Sequence, residues 1–199
     1  MKTNLELYHV NRKLPWGGDL FEVGKSYSIG DRYNPFFSRF YSSEPRHPMA
    51  QEGEDCQSLF EKLQKDIASG QVKIPNDIFT YAEVCVRHYR MLSRELLFDM
   101  VRVSMNPSLP SRMKSLFMTE LDGIERWINV LGKDVPTQVV RCLTQGKIFK
   151  VDSNLIDAGF KEGLGYWQDS ALKYWAGQSS DKPKYEYLVE GTVTVLQVI

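Results

Sequence analysis

Glu186 opens the segment YEYLVEG close to the end of the sequence. On a pleated strand it shares a face with Leu188 and Glu190, while Tyr185 and Tyr187 point the other way. A carboxylate on such a half-apolar face is costly unless it is solvated, paired or put to use. His9 raises the same question near the start. In NLELYHVNRKL, Leu5, Leu7 and His9 alternate with Glu6, Tyr8 and Val10, so the imidazole points the same way as two leucines. It is either a satisfied core group or a ligand-binding group at the mouth of a sheet. Arg112, in PSRMKS, carries a planar guanidinium suited to bidentate phosphate contact. A loop arginine of this kind equally well caps backbone carbonyls.

Other chemistry has no signature here. The sequence contains no GxGxxG after a strand, no GxxxxGK[ST], no HExxH and no GxSxG. His9, His47 and His88 have no metal-ligand spacing with cysteine or carboxylate. His88 lies on the apolar face of a long helical pattern, which favours a packing role, and His47 sits in a loop with no nameable partner. Cys56, Cys85 and Cys142 form an odd, widely spaced set that reads as three reduced thiols. Large aromatics are usually buried, so Tyr166, Trp167, Tyr174 and Trp175 read mainly as packing residues.

Elements that could hold these groups follow from periodicity and breakers. Residues 5–10 read as a strand. The following stretch, to about residue 48, is rich in Gly, Pro, Ser and aromatics and reads as a long ordered loop with a short strand near Leu20–Val23. Leu59, Phe60, Leu63 and Ile67 have helical spacing that stops at Gly70. A longer helix runs from near Asn76 to about Val103, where MNPSLPSR breaks it. KSLFMT reads as a strand, and Leu121, Ile124, Ile128 and Leu131 as a short helix. TQVVRCLTQGKIFKVD reads as strand, Gly turn, strand. DAGFKEGLGYWQDSALKYWAG reads as an aromatic loop with one helical turn at most. YEYLVEGTVTVLQVI is a strand with a bulge or bend at Gly191. Strand, two helices, then mainly strands is an α+β order.

The 199 residues suit one domain spanning 1–199. Net charge is zero, so no whole-molecule field recruits nucleic acid or an anionic membrane, although a local basic groove is compatible with that balance. No apolar run is long enough to span a bilayer and the start lacks a secretory segment. The expectation is a cytoplasmic protein.

The motif order resembles the ADP-ribosyltransferase-like superfamily, in its diphtheria-toxin, poly(ADP-ribose) polymerase and rifampin ADP-ribosyltransferase branch. LYHV is similar to the strand carrying that branch's histidine. PSRMKSLFMTELDGIERW resembles its second motif, a strand ending in an aromatic and a hydroxyl residue with a helix directly after it. GKIFKVDSNLID looks like a stretch of the rifampin enzyme, and KYEYLVEGTVTV resembles the closing motif, in which a glutamate opens an apolar strand. The LYHV, PSR and YWxG segments also resemble a family of uncharacterised bacterial and phage proteins.

The resemblance implies a split β-sandwich with flanking helices, NAD as substrate, no metal, and transfer of ADP-ribose to a macromolecular acceptor, protein or nucleic acid. It also implies a toxin or effector role with an antitoxin or inhibitor protein as partner. His9 would bind the adenosine ribose. Glu186 is the first choice for the catalytic carboxylate, Asp152 the second and Glu190 the third. NAD contacts would come from Tyr8, His9, Arg12, Arg112, Ser115, Phe117 and Tyr174. Part of 15–48, with Gly17 and Gly18, would wall the site. Phe117 stands where the family has a tyrosine, which makes a catalytically decayed NAD- or partner-binding module of the same fold the alternative.

Overall fold

The computed structural model describes residues 4–13, 20–45, 56–70, 77–132, 135–156 and 163–199. His47, Gly17 and Gly18 lie outside them. The chain divides into two compact units, Met1–Pro35 with Glu95–Ile199, and Phe36–Arg94. Its elements in order are β1 (Leu5–Arg12), β2 (Ser26–Ile29), α1 (Pro35–Tyr41), α2 (Cys56–Ala68), α3 (Asp77–Met105), β3 (Leu116–Met118), α4 (Ile124–Leu131), β4 (Thr137–Asp152), α5 (Leu164–Trp175) and β5 (Tyr185–Val198). Short 3₁₀ turns at Leu121–Gly123 and Ser153–Leu155 precede α4 and follow β4. The class is mixed α and β with an antiparallel sheet. Among the described residues no helix is long and apolar enough to cross a membrane.

In the larger unit the sheet order is β1-β4-β5-β2, with β3 pairing β5 beside β2. Residues 137–144 of β4 pair β1, while residues 140–152 pair β5. Beyond β3, Thr119 exchanges two 2.8 Å backbone bonds with Tyr8 of β1. One residue pair thus links β3 back to the far edge strand.

β4 is a single sixteen-residue strand, not two strands about a turn at Gly146. Gly146 faces Gly191 across the ladder, both with φ near +137°. A Cβ on Gly146 would lie 2.3 Å from the Glu190 carbonyl oxygen, and one on Gly191 would lie 2.2 Å from that of Gln145. The paired glycines let both strands bend there without losing register. Gly191 is therefore a close-approach position, and the register shift falls at Arg141/Cys142 instead. The short strand expected near Leu20–Val23 is replaced by a turn at Gly24 that leads into β2.

The sheet buries both faces around β5. Leu7, Met118, Val140, Cys142, Tyr187, Val189, Val193 and Val195 form one core. Val151, Leu188 and partly buried Phe149 and Phe117 pack on the other side against Phe98 and Val101 of α3 and Ala171, Tyr174 and Trp175 of α5. The segment expected as an aromatic loop is this twelve-residue helix α5. Its Trp167, Ser170, Ala171, Tyr174 and Trp175 repeat at helical spacing and are buried. Trp175 Nε1 donates to the Phe98 carbonyl at 2.7 Å. Buried Cys142 has its thiol pKa pushed up to about 12 by desolvation.

The smaller unit has its own core of Leu59, Leu63, Tyr81 and Cys85, with Phe60 and Ile78 beside it. Tyr81 donates its hydroxyl to the Pro45 carbonyl. His88 is buried, with its ring edge-on to Phe40 at 5.4 Å.

Candidate functional site

Two polar clusters occupy the opposite faces of the N-terminal half of β5, and His9 stands at the edge of one of them. His9 Nδ1 lies 2.8 Å from the Phe117 carbonyl oxygen. A carbonyl only accepts, so the proton sits on Nδ1 and Nε2 keeps its lone pair. Burial lowers the imidazole pKa to about 4, against the opposing pull of the Phe117 carbonyl. The ring is neutral at pH 7, half-buried, and edge-on to Phe21 at 5.2 Å. Tyr8 and Arg12 are half-buried neighbours on β1.

On the α3/α5 side, Arg112 is clamped between two carboxylates. Its Nε donates to Glu95 Oε2 at 3.0 Å, and its Nη1 to Glu186 Oε1 and to the Tyr174 hydroxyl, each at 2.5 Å. Tyr174 in turn donates to Glu186 Oε1 at 3.0 Å. The guanidinium carbon sits 5.0 Å from the Phe117 ring centre and 5.3 Å from that of Tyr174. All four polar residues are at most 5 % exposed. Burial alone would lower the Arg112 pKa, but the charges of Glu95, Tyr174 and Glu186 overcome it and raise it. Burial raises that of Tyr174, with Arg112 opposing. The PSR loop is pinned as well: Ser111 donates its backbone N–H to Glu190 at 2.7 Å and its hydroxyl to Asp99 at 2.6 Å.

The residues expected at the site make the following contacts. Arg112, expected at a phosphate, spends its guanidinium on Glu95 and Glu186. Glu186, the first-choice catalytic acid, is 2 % exposed and paired with Arg112 and Tyr174. Tyr174 has no exposed surface with which to stack on a ligand, and the Ser115 hydroxyl is equally enclosed. Asp152, the second-choice acid, takes four donors: the N–H groups of Asn154, Lys184 and Ser180 and the Ser180 hydroxyl. Burial would raise its pKa, but these bonds outweigh it and lower it. It anchors the turn after β4 and has no spare capacity for a substrate. Glu190 holds Ser111 and faces Lys147 Nζ at 3.5 Å, with 14 % of its side chain exposed.

The second cluster was missed in the sequence. Glu120 Oε1 accepts from Lys150 Nζ at 3.0 Å and from the Tyr187 hydroxyl. Lys150 Nζ lies 4.3 Å from the Tyr185 ring centre and 5.3 Å from that of Tyr187. The Glu120 and Lys150 side chains are 45 % and 40 % exposed. The Tyr187 hydroxyl, then Lys150, lowers the Glu120 pKa, so this carboxylate is ionised at neutral pH. The only available signal was alternation, which puts Glu120 on the face of Leu116 and Met118. Among the described residues no group of three or more His, Cys, Asp or Glu could hold a metal ion.

The chain matches, over residues 7–199, the family described as "Protein of unknown function (DUF2441)", and it belongs to that family. No curated protein matches it.

Proposed function

We propose that this chain binds NAD beside β1 and β3 and transfers ADP-ribose to a macromolecular acceptor, protein or nucleic acid, on an ADP-ribosyltransferase-like split β-sandwich. The observation that carries this reading is the neutral His9 imidazole, with Nδ1 anchored on the Phe117 carbonyl and Nε2 left as an acceptor. An imidazole fixed in that tautomer on a strand suits a ribose hydroxyl. It lies within LYHV and bonds to Phe117 of PSRMKSLFMTELDGIERW, two of the four segments whose order resembles the family. In the reaction the bond from ribose C1′ to the nicotinamide nitrogen breaks, and its electron pair leaves on nicotinamide. The acceptor nucleophile bonds to C1′ and loses its proton. The protein's task is to hold the dinucleotide bent and to stabilise the positive charge that develops on the ribose.

The experiment is a thermal shift with millimolar NAD, followed by labelled NAD in a host lysate with nuclease and protease digestion of the products. NAD should raise the melting temperature, since a ligand specific to the folded state stabilises it by mass action. No shift and no label transfer refute the reading. A second reading, a binding module of the same fold without turnover, is favoured by the burial of Glu186 and Asp152. A thermal shift without nicotinamide release would select it.

A further inference from the structure

We propose that Glu120 is the carboxylate that works with His9 on the ribosyl group. This inference rests on the NAD reading and names an acid that the sequence motifs did not. The Tyr8–Thr119 pair exchanges both of its backbone bonds, which sets the local register between β1 and the end of β3. His9 then stands opposite Met118 and Leu7 opposite Glu120, since the pairing is antiparallel. Glu120 itself is extended, with φ −77° and ψ 170°, so alternation carries through it.

His9 and Glu120 are therefore diagonal neighbours on one face, about 7–8 Å apart at the backbone. Met118 pairs with Tyr187 and Tyr187 with Lys150, so the same face continues across the sheet. Tyr187 and Lys150 meet Glu120 through one oxygen only, Oε1. Among the described residues neither Glu120 Oε2 nor His9 Nε2 has a hydrogen-bond partner, so each is open to a hydroxyl. Two acceptors of this kind, one neutral and one anionic, suit a sugar with adjacent hydroxyls that becomes positively charged as it reacts. The acids of β4 and β5 lack this combination: Glu186 and Asp152 are sealed, and Glu190 supports the PSR loop. Glu120 remains ionised throughout, and the acceptor's proton leaves to solvent.

The test compares the wild type with Glu120→Gln, Glu120→Asp and Asp122→Asn, an acid two positions further on. NAD dissociation constants are read by thermal shift, and nicotinamide release and label transfer by product analysis. Glu120→Gln should keep NAD affinity within a few-fold and lose on the order of a hundredfold in kcat, the scale of a lost preorganised electrostatic group. Glu120→Asp should recover part of that loss, and Asp122→Asn should be unaffected. A purely structural salt bridge would leave kcat unchanged. Normal transfer by Glu120→Gln, with NAD bound, overturns this inference alone. If the wild type neither binds nor turns over NAD, the proposed function itself falls.

Discussion

Glu186 and Tyr187 are consecutive residues of one strand, yet they belong to polar clusters of opposite character. Glu186 joins Glu95, Arg112 and Tyr174 in a dry group, packed against Phe117. Tyr187 joins Glu120 and Lys150 in a group that keeps about two-fifths of its charged side-chain surface in solvent. Both contain an acid, a base and a tyrosine, so composition does not separate them. Solvation does. Removing water makes each charge in the first group dependent on its partners, because an orphaned buried charge is far costlier than the net gain of the pair. The second group pays little for desolvation and contributes correspondingly little stability. Chemistry needs an acceptor that is held but not saturated, the part that the proposal gives to Glu120 of the second group.

The largest expected effect breaks the dry cluster. Arg112→Met removes the cation that pairs with both Glu95 and Glu186 and should destabilise the protein by roughly 3–5 kcal/mol. At about 2–4 °C per kcal/mol for a chain of this size, the melting temperature should fall on the order of 10 °C. A loss below about 1 kcal/mol would show that the cluster is hydrated in solution, and the contrast would collapse.

Glu186→Gln should cost less, about 1–3 kcal/mol, because Arg112 keeps Glu95 and the amide still accepts from Tyr174. Transfer by this variant at permissive temperature should stay within a few-fold of wild type. A hundredfold loss with the fold intact would return catalysis to β5.

The smallest effect is a slope. His9 has a folded pKa of about 4, below the ordinary histidine value of 6.5, so the unfolded state binds more protons between those values. Its contribution to stability is complete above pH 6.5 and is lost as pH falls from 6.5 towards 4. His9→Gln should flatten the dependence of urea-unfolding free energy between pH 7 and 5. An unchanged slope would mean that the imidazole is solvated when the protein is folded.

Local pattern was enough for β1, α2, α3, β3 and β5, because each carries its own period or breaker in a short window. It misled at Gly146, since glycine in a β run signals a turn unless a second glycine lies opposite, and Gly191 comes from a distant segment. It misled at α5 because aromatic content outweighed spacing, although Trp167, Ala171, Tyr174 and Trp175 do repeat as a helix. The site was half legible. Glu186, Arg112, Phe117 and Tyr174 are indeed brought together, but their types do not reveal whether water reaches them. Glu120 was invisible because its proposed role depends on Thr119 meeting Tyr8, a pairing between segments far apart in the chain.

The Gly146–Gly191 crossing also constrains how this family can diversify. A side chain at either position meets the opposite backbone, so neither glycine can drift alone, and filling one does not make room at the other. The two positions are locked to each other through main-chain atoms, which offer no rotamer to yield. Relatives that keep this bend should carry both glycines, each midway along a β-forming run. That coupled pair is a mark by which the same strand crossing can be looked for in sequences too divergent to align.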